Sequence, residues 1–255
     1  MTERKQGRRS AQDAENTKRQ IMMVAADMFC TLGYERVSLR NISEQAGVSH
    51  SLIRHHFGSK EKIWHAISDE LHKFMGSYLH TIIDNLPNQA PANERLYLFS
   101  VRLLAHMLMF KQPIQLIADA VRQEDALFDY FIDRSGQLEA LVNNMAEEYN
   151  HSFPETPVKV WEIKWQMIMY AHGAASLTPF LSETWSDETD DINQCLLNHW
   201  QMFNQITATR FQIAPDKRLN PVSVADLIYP TECFDPAQVI KDCDRQENST
   251  DSGEE

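Results

Sequence analysis

The chain has 255 residues, 43% of them hydrophobic, and carries 24 Lys and Arg against 36 Asp and Glu for a formal net charge of −12. That length buries a sizeable core in one or two domains, and the charge balance excludes a protein that coats nucleic acid by cationic attraction alone. No apolar run approaches the roughly 18 residues needed to span a bilayer, and residues 1–13 are too polar for a signal peptide. A cytoplasmic protein with no membrane contact is therefore expected.

The charge is unevenly placed. Residues 1–73 carry 12 Lys and Arg against 9 Asp and Glu, a net of +3, whereas the remainder carries 12 against 27, a net of −15. A mildly basic head on an acidic body orients the head towards polyanions and discourages adhesion elsewhere.

Residues 1–14 are expected to be a disordered basic arm. Its Arg4, Lys5, Arg8 and Arg9 serve either as a minor-groove arm or as a solvated tail. From 17 to 32, Ile21, Val24, Ala25, Met28, Phe29 and Leu32 recur at helical spacing, and Gly33 ends the run. Two short helices follow between Ser38 and Phe57. Ser38 is the expected N-cap of the first, with Leu39, Ile42 and Ala46 on one face. Gly47 supplies the left-handed turn, Val48 plugs the corner and Ser49 caps the second helix. Helices this short need a partner, so the three together predict a helix-turn-helix.

These residues carry a resemblance. The segment Phe29 to Tyr34 reads Phe-x-x-x-Gly-Tyr, Ser38 to Ser49 reads Ser-x-Arg-x-Ile-x-x-x-Ala-Gly-Val-Ser, and Phe57 to Glu61 reads Phe-x-Ser-Lys-Glu. In this pattern residues 20–63 resemble the DNA-binding domain of TetR-family transcriptional regulators. The resemblance covers about a quarter of the chain. It implies an all-α fold, with an N-terminal three-helix DNA-binding domain over residues 15–74 and motif 38–57. A helical-bundle domain for effector binding and dimerisation is then expected over 75–213.

In the second helix of the motif, Ile53 and Phe57 are apolar and four apart, so they face inward. Ser51, Leu52 and His55 then point outward, with His50 and Arg54 on one flank and His56 on the other. Arg54 either pairs with guanine O6 and N7 or grips a phosphate, and Leu52 is placed for a thymine methyl. Arg40 and Lys60 match positions that the family uses for DNA contacts. The family commonly has aromatic residues where Arg54 and His56 stand, so the DNA sequence read here is expected to be particular to this chain.

A long helix opening at Ser59 carries Ile63, Ile67, Leu71, Phe74, Tyr78 and Ile82 on one face to about residue 85, and joins head to body. Further helices are predicted over 94–110, 113–122, 125–150, 157–177 and 188–212, and no stretch alternates as a strand. The helix over 94–110 is apolar nearly all round and hence central. It carries Arg102 and His106 four apart, for which the partner is an acidic ligand or an internal carboxylate such as Asp119 or Glu124. Tyr97, Tyr130, Trp161, Trp165 and Tyr170 are either pocket-lining or plain core. Gly173 and Ala174, with Ile192, Leu196, His199 and Phe203 on the last helix, resemble the helix pair through which the family dimerises; the other reading is intramolecular packing. Residues 214–255, interrupted by prolines and ending in an acidic run, are expected to be a partly disordered tail.

The four cysteines, Cys30, Cys195, Cys233 and Cys243, make no CxxC pair. No nucleophile motif, metal triad or phosphate loop is evident, so no catalytic residue, metal or cofactor is expected and the chain is not read as an enzyme. The expected function is that of a homodimeric repressor on a palindromic double-stranded operator, released by a small-molecule effector. The alternative is a ligand-independent DNA-binding regulator, either an activator or a DNA-guided protein-binding factor such as a division regulator.

Overall fold

The computed structural model describes residues 4–122 and 126–230, and among these every regular element is helical. Helix α1 (Arg4–Leu32) buries Ile21, Ala25 and Phe29, spaced four apart so that one stripe meets the rest of the head. The helix already runs from Arg4, where a disordered arm was expected to residue 14. The segment is rich in Arg, Lys, Gln and Ala, which all favour helix, and it continues a helix anchored further on. Residues 1–3 lie outside the described residues.

Helix α2 (Leu39–Gln45) starts at a reciprocal cap, with Ser38 Oγ accepting from the Asn41 N–H at 3.1 Å and Asn41 Oδ1 from the Ser38 N–H at 3.0 Å. Gly47 takes φ of +63°, the left-handed conformation that the tight turn requires. Helix α3 (His50–His56) is capped by Ser49 and α4 (Lys60–Asp84) by Ser59, as their positions predict. Ile42, Ile53, Phe57, Ile63 and Trp64 close the head core against α1.

The body comprises α5 (Ala92–Met109), α6 (Gln112–Arg122), α7 (Ala126–Ser152), α8 (Val160–Ser176), α9 (Thr178–Thr184) and α10 (Ile192–Arg210). Helix α5 is the central element, with Leu96, Phe99, Val101, Leu104 and Ala105 all fully buried. Trp200 of α10 is also fully buried and donates its indole N–H to the Val101 carbonyl at 2.8 Å. Helix α9 falls where no helix was predicted; a proline in its first turn is compatible with its start. Head and body are not separated at residue 74. Leu116 and Ala120 of α6 and Leu127 of α7 belong to the head's apolar core, and α4 runs through both units.

The first part of the expected tail is built into the body. After α10 come two 3₁₀ turns, Pro215–Lys217 and Val224–Leu227, the second with its own capping box between Ser223 and Asp226. Val224 and Leu227 are buried against the body core. Prolines that rule out long helices do not rule out packed turns. The rest of the tail, residues 231–255 with Cys233 and Cys243, lies outside the described residues. Leu227→Ala should therefore lower the unfolding free energy by about 2–3 kcal/mol, read as a shifted urea midpoint; an unchanged midpoint would show that this segment contributes nothing to the core.

Candidate DNA interface and effector cavity

Helix α3 spans about 10 Å at 1.5 Å per residue, short enough to enter a major groove end-on. Ile53 is fully buried beneath it and Phe57 closes its end. His50, Ser51, Arg54 and His55 are exposed, and Leu52 and His56 half-buried. Ser49 Oγ is 3.2 Å from the Leu52 N–H and 2.9 Å from Ser51 Oγ, which rigidifies the first turn. Arg54 is exposed and has no side-chain partner among the described residues, leaving its planar fork of donors available.

Two other expected contact residues are already engaged. Arg40 pairs with Glu44 at 2.8 Å on the exposed face of α2, a screened contact that a phosphate can displace. Lys60 donates to the Tyr34 carbonyl at 2.9 Å and lies 4.0 Å over the Tyr34 ring. Lys60 thus fixes the loop after α1 as well as presenting charge beside the motif. The side chains of Arg4, Lys5, Arg8 and Arg9 lie outside what the structure describes.

Behind the head, the loop is held by the body. Asp119 on α6 accepts a hydrogen bond from the Tyr34 N–H at 2.6 Å. Gly33 beside it has φ of +84°, and a Cβ there would stand 3.2 Å from Asp119 Oδ1. Glycine meets both the left-handed backbone and the close approach.

A cavity of about 170 Å³ opens within the body, walled by residues of α4, α5, α6, α7 and α8. Leu71, Met75, Leu79, Phe99, Leu103, Phe110, Ile114, Ile117, Ile163 and Met167 make it almost wholly apolar, which is the usual character of a small-molecule site. Its polar members are His72, His106, Glu139 and Lys164. Lys164 Nζ lies 2.6 Å from Glu139 Oε1 and 4.2 Å over the Trp161 ring. His106 is 2% exposed, stacked on Tyr78 at 3.8 Å and against Phe110 at 4.7 Å.

Of the expected pocket residues, His106 alone lines this cavity. Tyr97 is buried elsewhere, donating to Asn204 at 2.7 Å and accepting from the Leu219 N–H at 2.8 Å. Arg102 donates to the Leu227 carbonyl at 2.7 Å and lies 4.5 Å over the Tyr229 ring, while Asp119 is engaged with Tyr34 and Glu124 lies outside the described residues. Tyr130 packs at the head–body junction, stacked on His65 at 3.9 Å and donating to Asp69 at 2.9 Å. Tyr170 sits against His199 and Phe203. Trp161 and Trp165 are on the surface, 57% and 63% exposed. Glu139, Lys164 and the Asp119–Tyr34 bond were not anticipated, because each joins residues 25 or more positions apart.

Other large apolar side chains are exposed on the neighbouring helices. Trp161, Trp165 and Met169 repeat every fourth residue on α8, Phe180 is exposed on α9, and Ile192, Met202 and Ile206 are exposed on α10. Among the expected dimer residues, Ile192 is exposed, whereas Gly173, Leu196 and His199 are half-buried. Ala174 and Phe203 are buried within the protomer. Among the described residues, no helix is long and apolar enough to cross a membrane and no cluster of His, Cys, Asp or Glu forms a metal site.

Burial pushes His106 from its ordinary 6.5 down to about 3. The unfolded chain accordingly takes up this proton first, and stability present above pH 6.5 is lost as pH falls towards 3. By pH 5 this one group should remove about 2 kcal/mol. His106→Phe should flatten the fall in urea midpoint between pH 7 and 5, and an equal slope in both proteins would refute the assignment.

Comparison with known proteins agrees with the geometry of the head. Residues 21–67 match the family model described as "Bacterial regulatory proteins, tetR family". The HTH-type transcriptional regulator TtgR of Pseudomonas putida is 36% identical over 66 residues, 26% of this chain and 31% of TtgR. The HTH-type transcriptional repressor KstR2 of Mycobacterium tuberculosis is 23% identical over 133 residues, 51% of this chain and 64% of KstR2. The matches thus span from about a third to under two thirds of these relatives' lengths. Among solved structures, the transcriptional regulator FadR from Bacillus subtilis, in complex with stearoyl-CoA, aligns at a TM-score of 0.50 and 16% identity. That alignment covers 75% of this chain and 96% of FadR, so the likeness extends through the helical body as a likeness of fold. In its motif and its three-helix head, the segment over residues 21–67 thus matches the tetR-family domain of bacterial regulatory proteins.

Proposed function

We propose that this chain is a homodimeric transcriptional repressor that reads a palindromic operator through α3 and is released when a small molecule fills the body cavity. The observation that carries the reading is the placement of α6. Ile114 and Ile117 on one side line the cavity, while Leu116 and Ala120 on the other enter the head core and Asp119 holds the Tyr34 amide. Any occupant that moves α6 therefore acts on α1, Tyr34 and Lys60 together. Helix α4 makes a second link, with Leu71 shared between cavity and head core. A ligand that favours one setting of these helices shifts the spacing of two heads away from the operator's half-sites. The exposed face of α8, α9 and α10 supplies the surface on which two copies meet, a two-fold pairing of like helices.

Fragments of the parent genome retained by the purified protein, once sequenced, should share a palindromic site bound by two protomers; retention without a shared sequence would refute the reading. On that site Arg54→Ala should lose about 1–3 kcal/mol and relax one base position per half-site. Lys60→Ala should weaken all sequences alike. Trp165→Asp with Met202→Asp should yield monomers by analytical ultracentrifugation and remove operator binding at concentrations where the parent protein saturates. Asp119→Ala should leave ligand binding intact and diminish ligand-induced release, measured by fluorescence anisotropy of labelled operator.

A further inference from the structure

If the cavity holds an effector, as proposed above, its walls restrict what that effector is. His106 projects from α5 between the rings of Phe74, Tyr78 and Phe110, at centroid distances of 5.4, 3.8 and 4.7 Å. Both of its ring nitrogens are buried without a hydrogen-bond partner among the described residues. A neutral imidazole carries one donor and one acceptor, and leaving them unpaired in an apolar interior is unfavourable. Rings pack against the side chain and the same residue lines the cavity, so a turn about the soft Cβ–ring torsion of histidine brings a nitrogen towards it.

The other polar groups in the wall are satisfied. Lys164 and Glu139 neutralise each other at 2.6 Å, and His72 Nδ1 lies 2.7 Å from the Ser68 carbonyl oxygen. No charge is left over to receive an ionic head group. An anion or a cation would have to break the Lys164–Glu139 pair and shed its own hydration among aliphatic side chains. We propose that the cavity takes an uncharged, mainly hydrocarbon molecule bearing one hydroxyl or carbonyl oxygen, and that His106 is the residue that hydrogen-bonds it.

The test uses the full chain at pH 7.5 with the neutral fluorophore N-phenyl-1-naphthylamine as the bound probe, displaced by 1-decanol, decanoate or decylammonium. 1-Decanol should displace it at concentrations at least about tenfold lower than either ion, since only the ions lose hydration without compensation. His106→Phe keeps the ring stack and should bind the probe as before while losing about 5–10-fold in 1-decanol affinity, the worth of one hydrogen bond. His106→Gln, which retains a donor and an acceptor, should keep the preference for the alcohol. An ion that competes as well as the alcohol, or a Phe variant that binds 1-decanol undiminished, would overturn the proposal. Should the Phe variant not fold, the ranking of the three ligands on the unaltered chain still decides. Failure of the probe itself to bind would instead overturn the cavity as an effector site, and the proposal with it.

Discussion

The bond between the Asp119 carboxylate and the Tyr34 amide ties the two halves of this molecule together. A carboxylate accepting a backbone N–H at 2.6 Å is a strong, directional contact, and the glycine beside it admits no side chain without disturbing it. The same loop is gripped from the other side by Lys60, whose ammonium meets the Tyr34 carbonyl and ring. One tyrosine therefore joins a body helix, the end of α1 and the start of α4. Because α6 also walls the cavity, it links the interior to the head, as α4 does through Leu71. Packed interfaces of this kind shift between discrete arrangements rather than deforming smoothly, so a small change in the cavity has somewhere definite to go.

Electrostatics divide the labour along the chain. The chain after residue 73 has a net charge of −15, yet the body cavity presents no unpaired charge, while the head, at +3, leaves Arg54 open to solvent. Long-range repulsion between an acidic body and phosphates leaves the head as the favoured approach. Inside, the ion pair of Lys164 and Glu139 and the neutral His106 let polar residues sit in an apolar wall without a net field.

The sequence was most legible where physics is local. Ser38, Ser49 and Ser59 all cap the helices expected of them, Gly33 and Gly47 both take positive φ, and Ile53 is buried as its spacing required. Chain-order periodicity also located five of the six body helices to within a few residues; α9 was too short to register. Side-chain partners were not legible, because helical periodicity says which residues share a face and nothing about what that face meets. Trp161 and Trp165 show this best. Their spacing marks one apolar stripe, equally compatible with a pocket, a core or an interface, and only the placement of α8 at the edge of the bundle puts them on the surface.

Arg102 and His106 show the same limit in the energetics. Four apart on one buried helix, they look like two halves of a single anion site, yet their surroundings separate them. Arg102 reaches past its helix to a backbone carbonyl at Leu227 and the ring of Tyr229, so the tail supplies what a carboxylate was expected to supply. A carbonyl dipole and an aromatic face satisfy a guanidinium while keeping it charged, without adding a second buried ion that needs its own partner. That arrangement engages the cation one helical turn from His106 and leaves the imidazole neutral against the cavity. The tail segment over residues 214–230 thus does more than close the body core: by holding the guanidinium, it removes the one nearby charge on α5 that would otherwise have favoured an acidic ligand.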